Sequence, residues 1–173
     1  MKKFSLVLVL LLLVVLVGCT KETPAECFDY LKESNHIIIT GLVKPDLKSI
    51  VIPSKIENSF VTKIRRGAFS GCSSLTNVTI PDSVTDIDVD LFRGCISLTN
   101  VTIPDSVTSI GLYAFEGCTS LTSVTIPDSV TSIGWSAFEG CTNLTNVTIP
   151  DSVEFIADDA FEGTGVELPE KFK

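Results

Sequence analysis

A solenoid of stacked 23-residue turns, an α/β repeat with a short parallel sheet along one face, is the fold class this sequence predicts. Three observations carry it. The segment Ile-Pro-Asp-Ser-Val recurs at Ile80, Ile103, Ile126 and Ile149, each copy 23 residues after the last. Other positions keep the same step: Leu75, Leu98, Leu121 and Leu144; Val78, Val101, Val124 and Val147; Phe69, Phe92, Phe115, Phe138 and Phe161; Cys72, Cys95, Cys118 and Cys141. Within a copy, Asn77-Val78-Thr79-Ile80 alternates polar and apolar residues, which sends Val78 and Ile80 inward and leaves Asn77 and Thr79 outward in a short strand. A lone unit has no second layer on which to bury its apolar side chains, so each turn needs neighbours and equivalent residues should form columns.

From the amino end, Met1-Lys2-Lys3 is a positive start to the apolar run Phe4 to Val17, broken only by Ser5. At about 1.5 Å per residue that run spans ~21 Å, short of the ~30 Å hydrocarbon core of a bilayer. An export signal over residues 1–18 is the expectation. The run ends in Leu16-Val17-Gly18-Cys19, which resembles the bacterial lipobox and implies lipidation of Cys19. Two or three acyl chains, each adding about 0.8 kcal/mol per buried CH₂, would anchor the chain stably. In the lipoproteins this segment resembles, an Asp after the cysteine favours retention on the inner membrane. Thr20 stands there, so a lipid-anchored position in the cell envelope, on the outer membrane or cell surface rather than the inner membrane, is expected. Residues 19–26 read as a short polar tether, which keeps the folded part near the membrane.

Residues 27–46 read as an N-terminal cap, in which His36 to Thr40 forms a strand covering the open first edge of the sheet. The solenoid takes residues 47–173. An early turn shows at Leu47 to Pro53, but Ile52 to Phe69 spans 17 residues where Ile103 to Phe115 spans 12, so five residues are inserted near Glu57 to Val61. In each turn Pro ends the strand because it cannot donate to a ladder, and Asp-Ser follows in the turn. The chain returns through Val84 and Ile87 to the Ala-Phe segment, expected as a helical or 3-10 turn, and then a Gly-Cys bend. Six strands at about 4.8 Å would make a sheet ~29 Å wide. Thr164 replaces the cysteine of the last turn, and Phe161 to Leu168 is four residues shorter than Phe115 to Ile126, so a truncated, polar C-terminal cap turn is expected.

A fixed period of roughly 20 to 29 residues indicates a leucine-rich repeat solenoid. The unit Leu-x-x-Val-x-Ile-Pro-x-x-Val-x-x-Ile-x-x-x-Ala-Phe-x-x-Cys, seen over residues 47–168 with Leu91 in place of one Ala, resembles the BspA-like, or treponemal-type, leucine-rich repeat family. That resemblance implies a right-handed solenoid of the kind found on bacterial surface proteins, often adhesins.

The chain carries 13 Lys plus Arg against 21 Asp plus Glu, net −8. Phosphate backbones need clustered basic charge, so nucleic acid is a poor partner. One histidine excludes any mechanism built on a histidine pair within the chain. No nucleophile–base pair, phosphate loop or metal cluster occurs in the repeats, so neither an enzyme nor a cofactor is expected. The repeated cysteines lack metal-ligand spacing and, as columns, would point in parallel, which suits buried, reduced thiols better than bridges. A Cys27–Cys72 bridge stays open as an alternative. His36 reads as structural or exposed. Asp82, Asp105, Asp128 and Asp151 repeat along one edge and Glu116, Glu139 and Glu162 along another. Solvated turn carboxylates are the expectation there, with calcium as the alternative. The Asn-Val-Thr triplets at Asn77, Asn100 and Asn146 match a glycosylation acceptor and are expected to stay unmodified beside a bacterial lipobox.

Two surfaces are candidates for binding. The strand face shows Asn77, Asn100, Ser123 and Asn146 beside Thr79, Thr102, Thr125 and Thr148. It is uncharged and monotonous, which suits a repetitive ligand such as a glycan or ordered water, although β-branched Thr also favours strands for its own sake. The variable side comes from the stretch before Ala-Phe, whose middle row reads Arg66, Val89, Leu112, Trp135 and Asp158. Val89, Leu112 and Trp135, with Tyr113 beside them, make an apolar patch that could anchor a partner or pack against neighbouring turns. Charge is lopsided: residues 41–69 sum to +4 and residues 70–173 to −12. The basic end could orient the molecule on anionic lipid or favour head-to-tail self-association. The combined reading is a lipid-anchored, adhesin-like binding protein for a protein or glycan ligand, host matrix included. The alternative is a structural or scaffolding envelope lipoprotein.

Overall fold

A computed structural model describes residues 22–172. The signal segment 1–18, the lipidation position Cys19, and Thr20 and Lys21 lie outside the described residues.

The chain opens with a 3-10 turn at Ala25–Cys27 and a hairpin of β1 (Phe28–Glu33) and β2 (His36–Leu42). The first coil supplies β3 (Ser49–Val51), β4 (Lys55–Ile56) and β5 (Ser59–Ile64). Each later coil supplies two short strands: β6 (Asn77–Thr79) and β7 (Asp86–Ile87), β8 (Asn100–Thr102) and β9 (Ser109–Ile110), β10 (Ser123–Thr125) and β11 (Ser132–Ile133), β12 (Asn146–Thr148) and β13 (Phe155–Ile156). Stacking is in register: Asn77 opposes Asn100 and Val78 opposes Val101, Ser123 opposes Asn146, and Ile87, Ile110, Ile133 and Ile156 align in parallel. The 23-residue period is thus one coil of a β-solenoid.

The columns are realised. Rings of Phe69, Phe92, Phe115, Phe138 and Phe161 stack with successive centroid distances of 5.6, 5.3, 5.0 and 5.0 Å. They bury together with the Leu75, Leu98, Leu121 and Leu144 series and the inward Val and Ile residues. The return segment is a run of tight turns, and the only helical pieces among the described residues are Ala25–Cys27 and the 3-10 turn Glu170–Phe172. The reason is a competition for donors. Phe92 N–H donates to Ala114 O at 2.8 Å and Phe115 N–H to Ala137 O at 2.7 Å, in the next coil, so these amides are unavailable to a helix of their own. Local bonds reach only three residues back, as from Cys95 N–H to Phe92 O.

Two repeated side chains staple the coils. Ser83, Ser106 and Ser129 each donate from Oγ at 2.6 Å to the carbonyls of Val61, Val84 and Val107, which explains the serine in Ile-Pro-Asp-Ser-Val. The column cysteines Cys72, Cys95, Cys118 and Cys141 are free thiols, as is Cys27. Cys95, Cys118 and Cys141 donate from Sγ to the carbonyls of Phe69, Phe92 and Phe115 at 3.1 to 3.2 Å. They are more than small hydrophobes, because each satisfies an acceptor. Burial pushes the Cys95 and Cys141 thiols up to about 12 and raises Cys118 further. A thiol raised in the folded state favours folding fully below its unfolded pKa of about 8.5, and that contribution is lost as pH climbs to the folded value. Stability should therefore fall between about pH 9 and 12. The fall should be shallower in a Cys95→Ala, Cys141→Ala variant, as urea melts across that range would read.

Several expectations change. The strand face has five strands, not six, because the last coil ends in Gly165 N–H bonded to Leu144 O at 2.9 Å, with no strand beyond β12. The stretch from Phe161 to Leu168 is four residues shorter than that from Phe115 to Ile126, so the segment that forms a rung in the other coils is cut short here. Part of the segment read as a tether is docked: Thr23 exchanges bonds of 2.8 Å with Val51, N–H to carbonyl and Oγ1 from N–H, and Glu22 accepts from Ser54 N–H at 3.2 Å. Thr23, rather than the His36 strand, therefore covers the edge of β3. That strand is β2, which pairs in parallel with β5 on the other sheet. The inserted residues form the β4–β5 hairpin, whose turn residues Glu57 and Asn58 have φ of 49° and 63°, the left-handed pair of a two-residue hairpin turn. Glu57 anchors it to the cap through Lys32 at 3.0 Å and Tyr30 at 3.2 Å.

Candidate binding site

Along the variable side the chain bends sharply at the first four row members, and the residue after each takes a left-handed conformation: Gly67 (φ 66°), Asp90 (57°), Tyr113 (58°) and Ser136 (52°). The bend throws the preceding side chain outward. Leu112 is 40% and Trp135 50% exposed; Phe60, Ile96 and Phe155 are exposed to a similar degree elsewhere on the solenoid, but not on consecutive coils of one row. Val89 is half-buried. Outward projection thus holds for Leu112 and Trp135 and only in part for Val89.

Tyr113 is half-buried, and its ring lies 5.1 Å beneath the Arg93 guanidinium. A bulky side chain in this conformation costs about 1–3 kcal/mol and persists only where its surroundings hold it. The hold is visible. Tyr113 N–H donates to Trp135 O at 3.0 Å, and Arg93 spans Asp90 at 3.3 Å and Glu116 at 2.9 Å. The Glu116 carboxylate, followed by Asp90, raises the Arg93 pKa still higher, so the cation is permanent. Arg66 reaches the same Asp90 at 3.2 Å, and Ser136 donates to Asp159, whose carboxyl is held below its usual range chiefly by that Ser136 side-chain bond. The apolar pair Leu112 and Trp135 is therefore framed by an ordered charged row with carboxylates in excess. Sequence spacing identified the row; it did not show that Arg93, three residues from Asp90 and one coil from Glu116, would knit it.

The strand face departs from the uniform array expected. Asn77, Asn100, Ser123 and Asn146 are exposed, as are Thr102, Thr125 and Thr148, whereas Thr79 is half-buried. The ladder runs β3-β6-β8 and separately β10-β12. Ile80 N–H reaches Thr102 O at 3.4 Å and Ile126 N–H reaches Thr148 O at 3.3 Å, but the corresponding bond from Ile103 to Thr125 is not formed. A trough of about 340 Å³ opens there, edged by Asn100, Thr102, Ser123 and Thr125. Ser123 stands in place of Asn in that row, as Ser49 of β3 does opposite Asn77.

A larger trough, about 590 Å³, lies where the cap meets the second sheet and includes Glu33, His36, Lys63, Asp86 and Asp88. The β1–β2 hairpin brings Glu33 within 3.5 Å of His36, a partner the linear reading overlooked because the turn at Ser34 (φ 51°) folds it back. Among the described residues no three His, Cys, Asp or Glu side chains converge as metal ligands, and no helix is long and apolar enough to cross a membrane.

Stacked, closely similar coils, an internal column of Phe and Leu and outward residues that vary by coil define a leucine-rich repeat solenoid. Six copies of the BspA type leucine rich repeat region match over residues 43–167, and the chain belongs to that family. It is similar to a T. pallidum leucine rich repeat protein, at 37% identity and TM-score 0.78 over 82% of this chain and 67% of that one. A leucine-rich repeat protein from Bacteroides ovatus matches at 33% and 0.71, over 83% of this chain and 40% of that one. A leucine rich cell surface protein from Faecalibacterium prausnitzii matches at 31% and 0.64, over 86% and 48%. The chain thus spans two thirds of the first of these proteins and less than half of the other two. No curated protein matches it.

Proposed function

We propose that this protein is a lipid-anchored, surface-displayed binding module with an adhesin-like role, held by Cys19 and engaging a protein ligand along its variable side. The observation that carries this reading is the exposure of Leu112 and Trp135 on consecutive coils, inside a charged frame ordered by Arg93. An exposed Trp beside an aliphatic side chain, ringed by oriented charge, is the composition of an interface anchor. The likeness to a leucine rich cell surface protein supports outward display. A repetitive glycan on the strand face is the less favoured ligand, because the array is interrupted between β8 and β10.

Full-length chain in mild detergent, tested against matrix proteins and glycans, should bind a protein ligand and lose at least tenfold in affinity on Trp135→Ala. Asn100→Ala with Thr102→Ala should bind as the parent does. Undiminished binding by Trp135→Ala, with loss in the strand-face pair, would reverse the assignment. Self-association without ligand would favour the scaffolding role instead. Mass spectrometry of the envelope protein should find fatty acid on Cys19, and protease shaving of intact cells should remove the solenoid.

A further inference from the structure

Within the column each coil is held to the next by main-chain donors of its return segment. Phe92 and Gly94 N–H reach Ala114 and Glu116 O at 2.8 and 2.7 Å, and Phe138 and Gly140 N–H reach Ala160 and Glu162 O at 2.7 and 2.8 Å. The series stops at Phe161 and Gly163, whose N–H groups meet no acceptor among the described residues. By then the chain has turned away. Gly165 N–H is bonded back to Leu144 O at 2.9 Å, and Lys171 Nζ donates to Asp151 O and Val153 O at 3.1 and 3.2 Å. The tail is thus tied on either side of β12, and the return side of the last coil stays open.

A cleft of about 430 Å³ lies there, lined by Asp158, Asp159, Phe161, Glu162, Val166 and Leu168. Phe161, Val166 and Leu168 give it an apolar wall continuous with the core. Its rim is acidic. Asp159 is occupied, accepting from Ser136 N–H at 2.9 Å and from Ser136 Oγ at 2.7 Å. Asp158 and Glu162 are exposed, and no cation or donor among the described residues reaches either carboxylate. At the other end of the stack the same two rows carry cations, Arg66 in line with Asp158 and Arg93 in line with Glu162. Those cations are used across coils, Arg66 on Asp90 at 3.2 Å and Arg93 on Glu116 at 2.9 Å. The last coil therefore offers carboxylates and amide donors that its own described neighbours leave unmatched. A Lys or Arg side chain suits both parts of such a cleft, its aliphatic stem on the apolar wall and its charged head at the rim. A polypeptide backbone adds carbonyls for the free N–H groups. The volume falls within the roughly 300–1,000 Å³ of ordinary ligand sites. We infer that the cleft beyond Phe161 is a docking site for a short basic segment of another polypeptide, whose main-chain carbonyls meet Phe161 and Gly163 N–H and whose Lys or Arg heads meet Asp158 and Glu162. A second copy fits less well, because the cap closes over its basic coil: a Cβ added to Gly41 would lie 3.6 Å from Ala68 O, and Phe69 is fully buried. The site follows Asp158 along the variable row but does not require Trp135.

The probe is the peptide acetyl-Ala-Arg-Ala-Arg-Ala-amide, compared with its citrulline-for-Arg version and with spermidine, a polyamine cation that has no carbonyl group. Each is titrated into the full-length chain in mild detergent at low ionic strength. The Arg peptide should bind and slow hydrogen exchange at Phe161 and Gly163. Affinity should drop at least tenfold for the citrulline peptide, and equally for the Arg peptide on Asp158→Asn with Glu162→Gln. Spermidine should leave exchange at Phe161 and Gly163 unchanged. Trp135→Ala should leave peptide binding unchanged, which separates this site from the proposed function. Absence of binding, undiminished binding by the double variant, or protection confined to other residues would overturn the inference. Spermidine matching the peptide in affinity and protection would overturn it in favour of a plain cation site. Protection of Phe161 and Gly163 that grows with concentration of the chain alone would overturn it in favour of a second copy.

Discussion

Phe115→Ala is expected to lower the unfolding free energy by about 3–5 kcal/mol, read as a fall in the urea midpoint at unchanged slope. Phe115 is fully buried, and rings lie above and below it at 5.3 and 5.0 Å. Truncation leaves a hole bounded by two stacked rings and by main chain tied into both neighbouring coils, so collapse into the space is restricted. Coils touch only their neighbours, and loss in the middle of the column weakens two interfaces at once. Phe161, at the end of the column and 8% exposed, has a ring on one side only, so Phe161→Ala should cost clearly less. Equal losses at the two positions would mean that the column does not act as a column.

Gly111→Ala is expected to cost about 1–3 kcal/mol, the range for forcing an extra methyl group into closed packing. Its conformation is not left-handed; space is the constraint. The added Cβ would meet Ile87 O at 2.8 Å and Asp88 C and Val89 N at 3.0 Å, all main chain. The coil can yield only by lengthening the Gly111 N–H bond to Ile87, now 2.8 Å, in the way that Ala157, at the free end of the row, sits at 3.1 Å from Ile133 O. The change should also speed hydrogen exchange at residues 110–111. Asp88→Gly, one coil earlier and facing the open trough, should not gain the corresponding stability. A large gain would mean that β5 presses on Asp88 as the coil of β7 presses on Gly111.

The periodic part of this molecule was legible because each residue type recurs in the same environment. Phe115, Leu121 and Ile126 occupy the positions that their spacing assigned, and so do the outward Asn100 and Thr102. The serine of Ile-Pro-Asp-Ser-Val repeats as faithfully, but a turn role was enough to explain it, and its bond to the previous coil's Val carbonyl depends on a cross-coil distance that no linear pattern carries. Of the helical or 3-10 turn expected at Ala-Phe, only isolated bonds three residues back form, such as Cys95 N–H to Phe92 O, because the next coil claims the Phe amide. On the candidate site, Leu112 and Trp135 were placed by counting, while Val89 turned out half-buried and the Arg93 clasp on Asp90 and Glu116 was invisible until coils were stacked.

The sequence by itself determined the coil length, the columns, the strand face, the insertion and the family, since a 23-residue period written in apolar residues leaves stacking as the only way to bury them. Tertiary structure alone decided where the ladders are interrupted: β5 joining β2 and β4 without a ladder to β7, Thr23 closing the edge of β3, and β8 parting from β10. Each of these is a choice of partner by a strand edge. Main-chain donors and acceptors are the same in every residue, so which edges meet is set by bulges, hairpins and accumulated twist rather than by the side chains that the sequence spells out.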